Sequence, residues 1–213
     1  MTDILIASGN SHKHAELARL RETFAPSLPL RFRTPAACGA TMPAPDPDEN
    51  GSTYLENATI KARAFHEWSG LPALADDSGV EADFLDGAPG LHSARYAGES
   101  VAFSDNIAKL LRELSEVADD QRGGRFVCAL VLVADGEVVF SCEESCEGII
   151  LPEIRGADGF GYDPIFRPHD GDGRSFGEMT DEEKDHLSHR GRAFRTFAQQ
   201  FPELTVPGGP HPR

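Results

Sequence analysis

The segment Arg125–Ala134, RFVCALVLVA, is the strongest strand signal in the chain because it is almost entirely apolar. Asp135-Gly136 follows it directly, and this dipeptide is typical of a tight β-hairpin turn. Glu137–Cys142 then predicts the returning strand. Any fold for this chain must therefore contain this hairpin.

Other parts of the chain alternate between strand and helix patterns. Ile4–Ala7 predicts a short buried strand, and an apolar stripe with helical spacing follows from about Lys13 to Phe24. A capping box at Thr53 and a stop signal at Gly70 bound a second helix, and Ser104 is expected to cap a third. Strands interleaved with helices, together with one hairpin, predict an α/β fold on a mixed sheet. In such folds the loops at strand ends are the natural place for a site.

The charge balance argues against several classes of partner. The formal net charge is −15, whereas proteins that bind nucleic-acid polymers or anionic membranes are usually basic. No apolar run approaches the ~18 residues of a membrane span, and the N-terminus has no signal-peptide pattern. The four cysteines lack CxxC spacing and are interpreted as reduced thiols. We therefore expect a cytoplasmic protein with no nucleic-acid polymer or membrane as partner.

The loop after the first strand has the features of a phosphate-binding loop. Small residues allow close approach of a ligand, the following helix N-terminus offers free N–H groups, and a lysine adds a full charge. The loop consists of Ser8, Gly9, Asn10, Ser11, His12 and Lys13. It is not a Walker A loop, and an ordinary strand-to-helix turn with an exposed lysine is the alternative.

Two adjacent carboxylates, Asp76 and Asp77, follow the short apolar run Ala73–Ala75 and precede Ser78-Gly79. Mg²⁺ prefers hard oxygen ligands and usually takes one or two carboxylates together with waters and substrate phosphates. A pair of aspartates at a strand end, with Ser78 adding a hydroxyl, would provide such ligands. The alternative is a solvated turn.

Two further segments carry groups suited to a nucleotide. In Gly159–Asp163, GFGYD, glycines flank an aromatic residue that could stack on a base, although the segment could equally be a packed aromatic turn. In Lys184–Arg190, KDHLSHR, a cationic cluster could bind phosphate or a purine edge, or form a solvated helix face. Zinc binding by His186 and His189 is disfavoured because carboxylate or cysteine partners are not nearby.

Together these segments describe a site for a nucleoside triphosphate with Mg²⁺. In these segments the chain resembles the Ham1-like, inosine triphosphatase-type family of nucleoside triphosphate pyrophosphatases, in particular its bacterial dITP/XTP pyrophosphatases. The matching segments run in family order and cover nearly the whole chain: SGNSHKHAEL (8–17), TYLENATIKA (53–62), ADDSGVEADFLDGAPGLHSARYAG (75–98), GFGYDPIF (159–166) and FGEMTDEEKDHLSHRGRA (176–193).

The resemblance implies an elongated mixed β-sheet flanked by helices, with two lobes around a central substrate cleft, and usually a homodimer. We expect residues 1–206 to form a single domain and residues 207–213 a flexible tail. Asp77 resembles the family's metal ligand and catalytic base, and residues 8–13 its phosphate loop. The other implied substrate contacts are Ser78, Phe160, Gly161, Tyr162, Asp163, Lys184, His189 and Arg190.

The implied reaction is Mg²⁺-assisted hydrolysis of dITP, ITP or XTP to the nucleoside monophosphate and pyrophosphate, which removes deaminated purines from the nucleotide pool. Two alternatives remain: a phosphatase that removes the terminal phosphate, and a nucleotide-binding module without catalysis. The chain departs from the family pattern at Ser8, where threonine is common. In the acidic loop 46–51, the choice between Asp48 and Glu49 as a further metal ligand stays open.

Overall fold

The computed structural model of the protein describes residues 1–38, 42–99, 101–204 and 206. The strands are β1 (Thr2–Ile6), β2 (Leu30–Arg33), β3 (Ala73–Ala82), β4 (Gly123–Ala134), β5 (Glu137–Ile150) and β6 (Phe166–Pro168). The helices are α1 (Ser11–Phe24), α2 (Tyr54–Ser69), α3 (Phe103–Glu113), α4 (Asp181–Leu187) and α5 (His189–Gln200). Within these described ranges, the length and hydropathy that a membrane-crossing helix needs are not reached by any helix.

The strands form a six-stranded sheet in the order β2-β1-β3-β4-β5-β6. Strand β1 pairs in parallel with both β2 and β3, whereas β6 pairs antiparallel to β5. The sheet is therefore mixed, and the prediction of an α/β fold is confirmed. The predicted hairpin is also present: Asp135 and Gly136 separate β4 from β5, and both have positive φ, of 51° and 79°.

The first two helices begin where side chains can cap them. Helix α1 starts two residues before the predicted Lys13, because the Asn10 side chain accepts a hydrogen bond from the backbone N–H of His12. Helix α2 begins after Thr53, as predicted, and ends at Gly70, which adopts the left-handed conformation with φ of 70°. The apolar stripe of α1 and the capping signals of α2 therefore place both helices to within two residues.

The prediction that Ser104 caps the third helix is wrong. Helix α3 begins one residue earlier, at Phe103. The carboxylate of Asp105 accepts a hydrogen bond from the backbone N–H of Ala102 at 3.1 Å. An acidic side chain in the first turn thus satisfies an amide at the helix start, so that the serine hydroxyl is not needed there.

Strand β3 does not end at the acidic pair, where the sequence predicted a strand end. It continues without interruption through Asp76 and Asp77 to Ala82. The two carboxylates repel each other, but Lys13 and Lys61 place ammonium groups beside them. Because these cations offset the repulsion, the carboxylates lie in the middle of a ten-residue strand.

The chain divides into two compact units. The first comprises Met1–Asp77, Ala129–Glu143 and Ala193–Arg213, and the second comprises Ser78–Cys128 and Glu144–Arg192. The prediction that residues 1–206 form a single domain stays a prediction. The predicted tail, residues 207–213, lies outside the described residues.

Each unit has its own apolar core. In the first unit the buried residues include Ile4 and Leu5 of β1, Leu17 and Leu20 of α1, and the aromatic ring of Phe194 in α5. The core of the second unit is built on β3, α3, β4, β5 and the segments that follow β5: Val80, Ala82, Ile107, Leu110, Leu114, Val117, Phe126, Cys146, Ile150, Tyr162, Ile165, Phe166, Phe176 and Met179.

Candidate active site

Asp77 is held in β3 by groups from helix α2. The side-chain amide of Asn57 donates a hydrogen bond to one carboxylate oxygen of Asp77 at 3.2 Å. The other oxygen lies 3.9 Å from Nζ of Lys61. Burial raises the pKa of Asp77 above its usual value, and the positive charges of Lys61 and Lys13 oppose that rise. The carboxyl group is therefore a stronger proton acceptor than an exposed aspartate.

Lys61 was not among the predicted site residues, yet its ammonium group has several acidic or polar neighbours. Nζ donates to the backbone carbonyl of Asp76 at 3.1 Å and lies 3.0 Å from a carboxylate oxygen of Glu49. The side chain is almost entirely buried. The sequence did carry a signal: Lys61 lies beside Ala58 and Ala62 on the apolar face of α2, where a lysine is unusual.

Lys13 is the second cation next to the acidic pair. Its Nζ lies 3.0 Å from the carboxylate of Asp76, which is 1% exposed, and 3.4 Å from the backbone oxygen of the same residue. Asp48 is exposed, whereas Glu49 contacts Lys61. The structure thus brings Glu49, the second of the two alternatives, into contact with Lys61. We refer to Lys13, Glu49, Asn57, Lys61, Asp76 and Asp77 as the Asp77 cluster.

The predicted phosphate loop joins β1 to α1 and is ordered by its own polar side chains. Ser8 Oγ accepts a hydrogen bond from the backbone N–H of Asn10 at 3.1 Å. The side-chain oxygen of Asn10 accepts from the N–H of His12 at 2.9 Å, and Ser8 is buried. Gly9, Asn10, Ser11 and His12 are exposed. A Cβ atom at Gly9 would meet nothing within 4 Å, so packing within the described residues does not require glycine there.

In the second unit, a buried ion pair supports the aromatic side chain of the GFGYD segment. Nζ of Lys184 lies 2.7 Å from a carboxylate oxygen of Asp163, and that same oxygen accepts a hydrogen bond from the backbone N–H of Phe160 at 2.7 Å. Nζ of Lys184 also lies 4.6 Å from the centroid of the Phe160 ring, within cation–π range. The half-buried Phe160 ring is thus held by both residues.

Arg190 and His189 lie at the start of helix α5. The Arg190 guanidinium donates to Ser78 Oγ at 3.0 Å and lies 5.6 Å from the centroid of the Phe160 ring. The imidazole of His189 stacks on the Phe126 ring, with centroids 4.7 Å apart and planes 6° from parallel. Ser188, the residue before α5, caps this helix, because its Oγ accepts a hydrogen bond from the backbone N–H of Gly191. We refer to Ser78, Phe160, Asp163, Lys184 and Arg190 as the Phe160 cluster.

Tyr162 differs from Phe160 in its surroundings. Only 2% of Tyr162 is exposed, and its hydroxyl donates to the backbone carbonyl of Ser93 at 2.9 Å. Burial raises the pKa of the Tyr162 hydroxyl. Gly161, between the two aromatic residues, has φ of 67°. Of the two aromatic residues of the segment, Tyr162 is therefore the more deeply buried, whereas Phe160 is half-buried.

Comparison with known proteins identifies relatives over most of the chain. The Ham1 family profile matches residues 4–200. A dITP/XTP pyrophosphatase from Vibrio cholerae is 42% identical over 205 residues, which cover 95% of this chain and 98% of the relative. The solved structure of a HAM1 protein from Coxiella burnetii has a TM-score of 0.82 at 38% identity, covering 95% of this chain and all of that protein (100%). A nucleoside-triphosphatase, or dITP/XTP pyrophosphatase, from Mycobacterium abscessus has a TM-score of 0.69 at 39% identity, covering 92% of this chain and 98% of that one.

Proposed function

The chain belongs to the Ham1 family, and from that premise we propose that it is a pyrophosphatase of deaminated purine nucleoside triphosphates. It hydrolyses ITP, dITP and XTP to the nucleoside monophosphate and pyrophosphate. The names of relatives at about 42% identity support this proposal. The observation that carries it is the Asp77 cluster, in which a carboxylate with a raised pKa lies beside the ammonium group of Lys61.

The residues of the Asp77 cluster fit a bound Mg²⁺. Asp77 and Glu49 supply two carboxylates whose oxygens lie 3.9 and 3.0 Å from the same ammonium group, Nζ of Lys61. Within the part of the chain that the structure describes, no group of three His, Cys, Asp or Glu side chains could hold a metal ion by itself. Mg²⁺ commonly takes one or two carboxylates and completes its shell with waters and substrate phosphates. When bound, it neutralises phosphate oxygens and stabilises the departing pyrophosphate.

The chain's own residues then have distinct roles. Asp77 orients a water molecule and accepts its proton as the water oxygen bonds to the α-phosphorus and the bond to the α–β bridging oxygen breaks. Lys13 and Lys61 bind phosphate oxygens. The exposed backbone of residues 9–12, next to the N-terminus of α1, binds the remaining phosphate charge.

The Phe160 cluster suits the base. The Phe160 ring stacks on the purine, while Lys184 and Arg190 carry only hydrogen-bond donors. Hypoxanthine and xanthine present a 6-oxo acceptor to such donors, whereas the 6-amino group of adenine would leave a donor unpaired. A polar mismatch of this kind discriminates by up to about 10⁴–10⁵. We place the substrate preference for 6-oxopurines in this cluster.

The test is a panel of ITP, dITP, XTP, GTP and ATP, with and without Mg²⁺, scored separately for pyrophosphate and orthophosphate. We expect pyrophosphate from ITP, dITP and XTP but not from ATP, in the presence of Mg²⁺ only. The matched variant Asp77→Asn should lose at least about 10²-fold in turnover with its fold retained. Orthophosphate as the first product would instead indicate a phosphatase, and nucleotide binding without turnover would indicate a binding module.

We further propose that the enzyme is a homodimer in the cytoplasm, where polymerases draw on the same nucleotide pool. The resemblance to the family supports both statements. Light scattering coupled to size-exclusion chromatography measures the mass directly. A mass near 23.0 kDa, that of one chain, would contradict the dimer.

A further inference from the structure

The first residue of helix α3, Phe103, packs against the GFGYD segment. Its ring lies 5.0 Å from the ring of Tyr162, centroid to centroid, in an edge-to-face arrangement with an interplanar angle of 73°. A Cβ atom at Gly161 would lie 3.5 Å from the tip of the same ring. Phe103 nevertheless remains 37% exposed. It therefore contacts the segment from outside rather than from within the core.

The segment that Phe103 contacts has two conformationally permissive positions. Gly159 and Gly161, on either side of Phe160, both have positive φ, of 73° and 67°. The hydroxyl of Tyr162 donates to the backbone carbonyl of Ser93, and the carboxylate of Asp163 accepts from the backbone N–H of Phe160. Glycine gives the backbone more freedom than any other residue, so the direction of the Phe160 ring depends on what packs against these two positions.

The start of α3 is a fixed support for the Phe103 ring. Asn106, one turn along, is fully buried, and its side-chain amide bridges two backbone groups of the preceding segment. It accepts from the N–H of Ala97 at 2.6 Å and donates to the carbonyl of Ala94 at 3.1 Å. The first turn of α3, which carries the Phe103 side chain, is therefore fixed by hydrogen bonds to the preceding segment.

We propose that Phe103 is a positioning residue for the base-binding segment. By covering Gly161 and packing on Tyr162, it restricts the glycine-flanked backbone and so holds the Phe160 ring ready to stack on a purine. A segment that is ordered in advance loses less freedom when the ligand binds, which strengthens binding without changing the chemical step. This inference rests on the proposed function and assigns a specific residue to purine binding.

The test separates base binding from phosphate chemistry. Phe103→Ala should raise KM for ITP by about three- to tenfold, the range expected for one aromatic pair, and change kcat by less than about twofold. Inhibition by the product IMP should weaken by the same factor, whereas inhibition by pyrophosphate, which has no base, should not change. Phe103→Tyr, which keeps the aromatic ring, should have the same KM for ITP as the wild type. The matched control is Phe84→Ala, which removes another exposed phenylalanine of the same unit and should leave KM unaltered.

An unchanged KM in Phe103→Ala, with a wild type that hydrolyses ITP, would overturn the inference and leave the proposed function intact. Equal weakening of IMP and pyrophosphate inhibition would also overturn it, because general destabilisation does not distinguish the two products. A wild type that fails to hydrolyse ITP would overturn the proposed function itself, and the inference with it. Thermal unfolding of each variant verifies that the fold is retained.

Discussion

The ammonium group of Lys184 lies 2.7 Å from the carboxylate of Asp163, and the two side chains are only 4% and 2% exposed. Because neither charge can be solvated by water, each depends on the other. The pair also orders its surroundings: it holds the backbone N–H of Phe160 and places a cation beside the Phe160 ring.

Replacing one member of this ion pair should affect both stability and binding. Lys184→Ala leaves the Asp163 carboxylate buried without its cation, and we expect a loss of about 3–5 kcal/mol in the free energy of unfolding. KM for ITP should rise at temperatures where the variant is folded. The double variant Lys184→Met/Asp163→Asn should recover much of the stability without recovering KM, as measured by urea unfolding and initial rates. A fully stable Lys184→Ala protein would contradict the coupling.

We expect Lys61 to be essential for hydrolysis, although the sequence motifs did not identify it as a site residue. Lys61→Met keeps most of the apolar side chain but removes the charge beside Asp77 and Glu49, and kcat/KM for ITP should fall about 10²-fold or more. The matched control is Arg63→Ala on the same helix, since Arg63 is exposed and its guanidinium contacts the backbone oxygen of Gly136. If both variants had the same rate, Lys61 would have no special part in the reaction.

Variants of the two aromatic residues of the GFGYD segment should have different effects, one on KM and the other on stability. Phe160→Leu removes a stacking surface and should raise KM for ITP about tenfold. Tyr162→Phe removes only the hydrogen bond to Ser93 and should lower the free energy of unfolding by about 1 kcal/mol with little effect on KM. Steady-state kinetics and thermal unfolding of both proteins measure the contrast. A larger rise of KM in Tyr162→Phe than in Phe160→Leu would contradict the assignment of base stacking to Phe160.

Ionisation of Asp77 should lower the free energy of unfolding at neutral pH when no metal is bound. Its pKa in the folded protein is raised above the ordinary value of 3.8, mainly by burial, so the folded state binds the proton more tightly than the unfolded chain. Stability therefore falls as pH rises between the two pKa values, and the full penalty is present above the folded-state pKa.

Asp77→Asn cannot ionise and lacks this penalty. With EDTA present at pH 7, its Tm should be at least as high as that of the wild type. The difference should shrink as pH falls towards 3.8 and below, where Asp77 is protonated in both states. Differential scanning calorimetry across this pH range makes the comparison. A variant that is less stable than the wild type at pH 7 and equal to it at low pH would reverse the sign and contradict the assignment.

Local signals in the sequence were sufficient for much of the fold. Thr53 and Gly70 bound α2 because capping depends on residues a few positions apart, and Asp135-Gly136 forms the hairpin turn for the same reason. The uninterrupted course of β3 could not be predicted in this way. It depends on Lys13 and Lys61, which come from two different helices and are distant in sequence.

By itself, the sequence determined the α/β class, the order of the elements, the family and the segments that carry polar site residues. Only the tertiary structure decided which of those residues support each other: Lys61 beside Asp77, Glu49 rather than Asp48 beside Lys61, and a deeply buried Tyr162 next to a half-buried Phe160. The physical reason is that capping and periodicity are local, whereas burial and ion pairing depend on groups that only folding brings within a few ångströms.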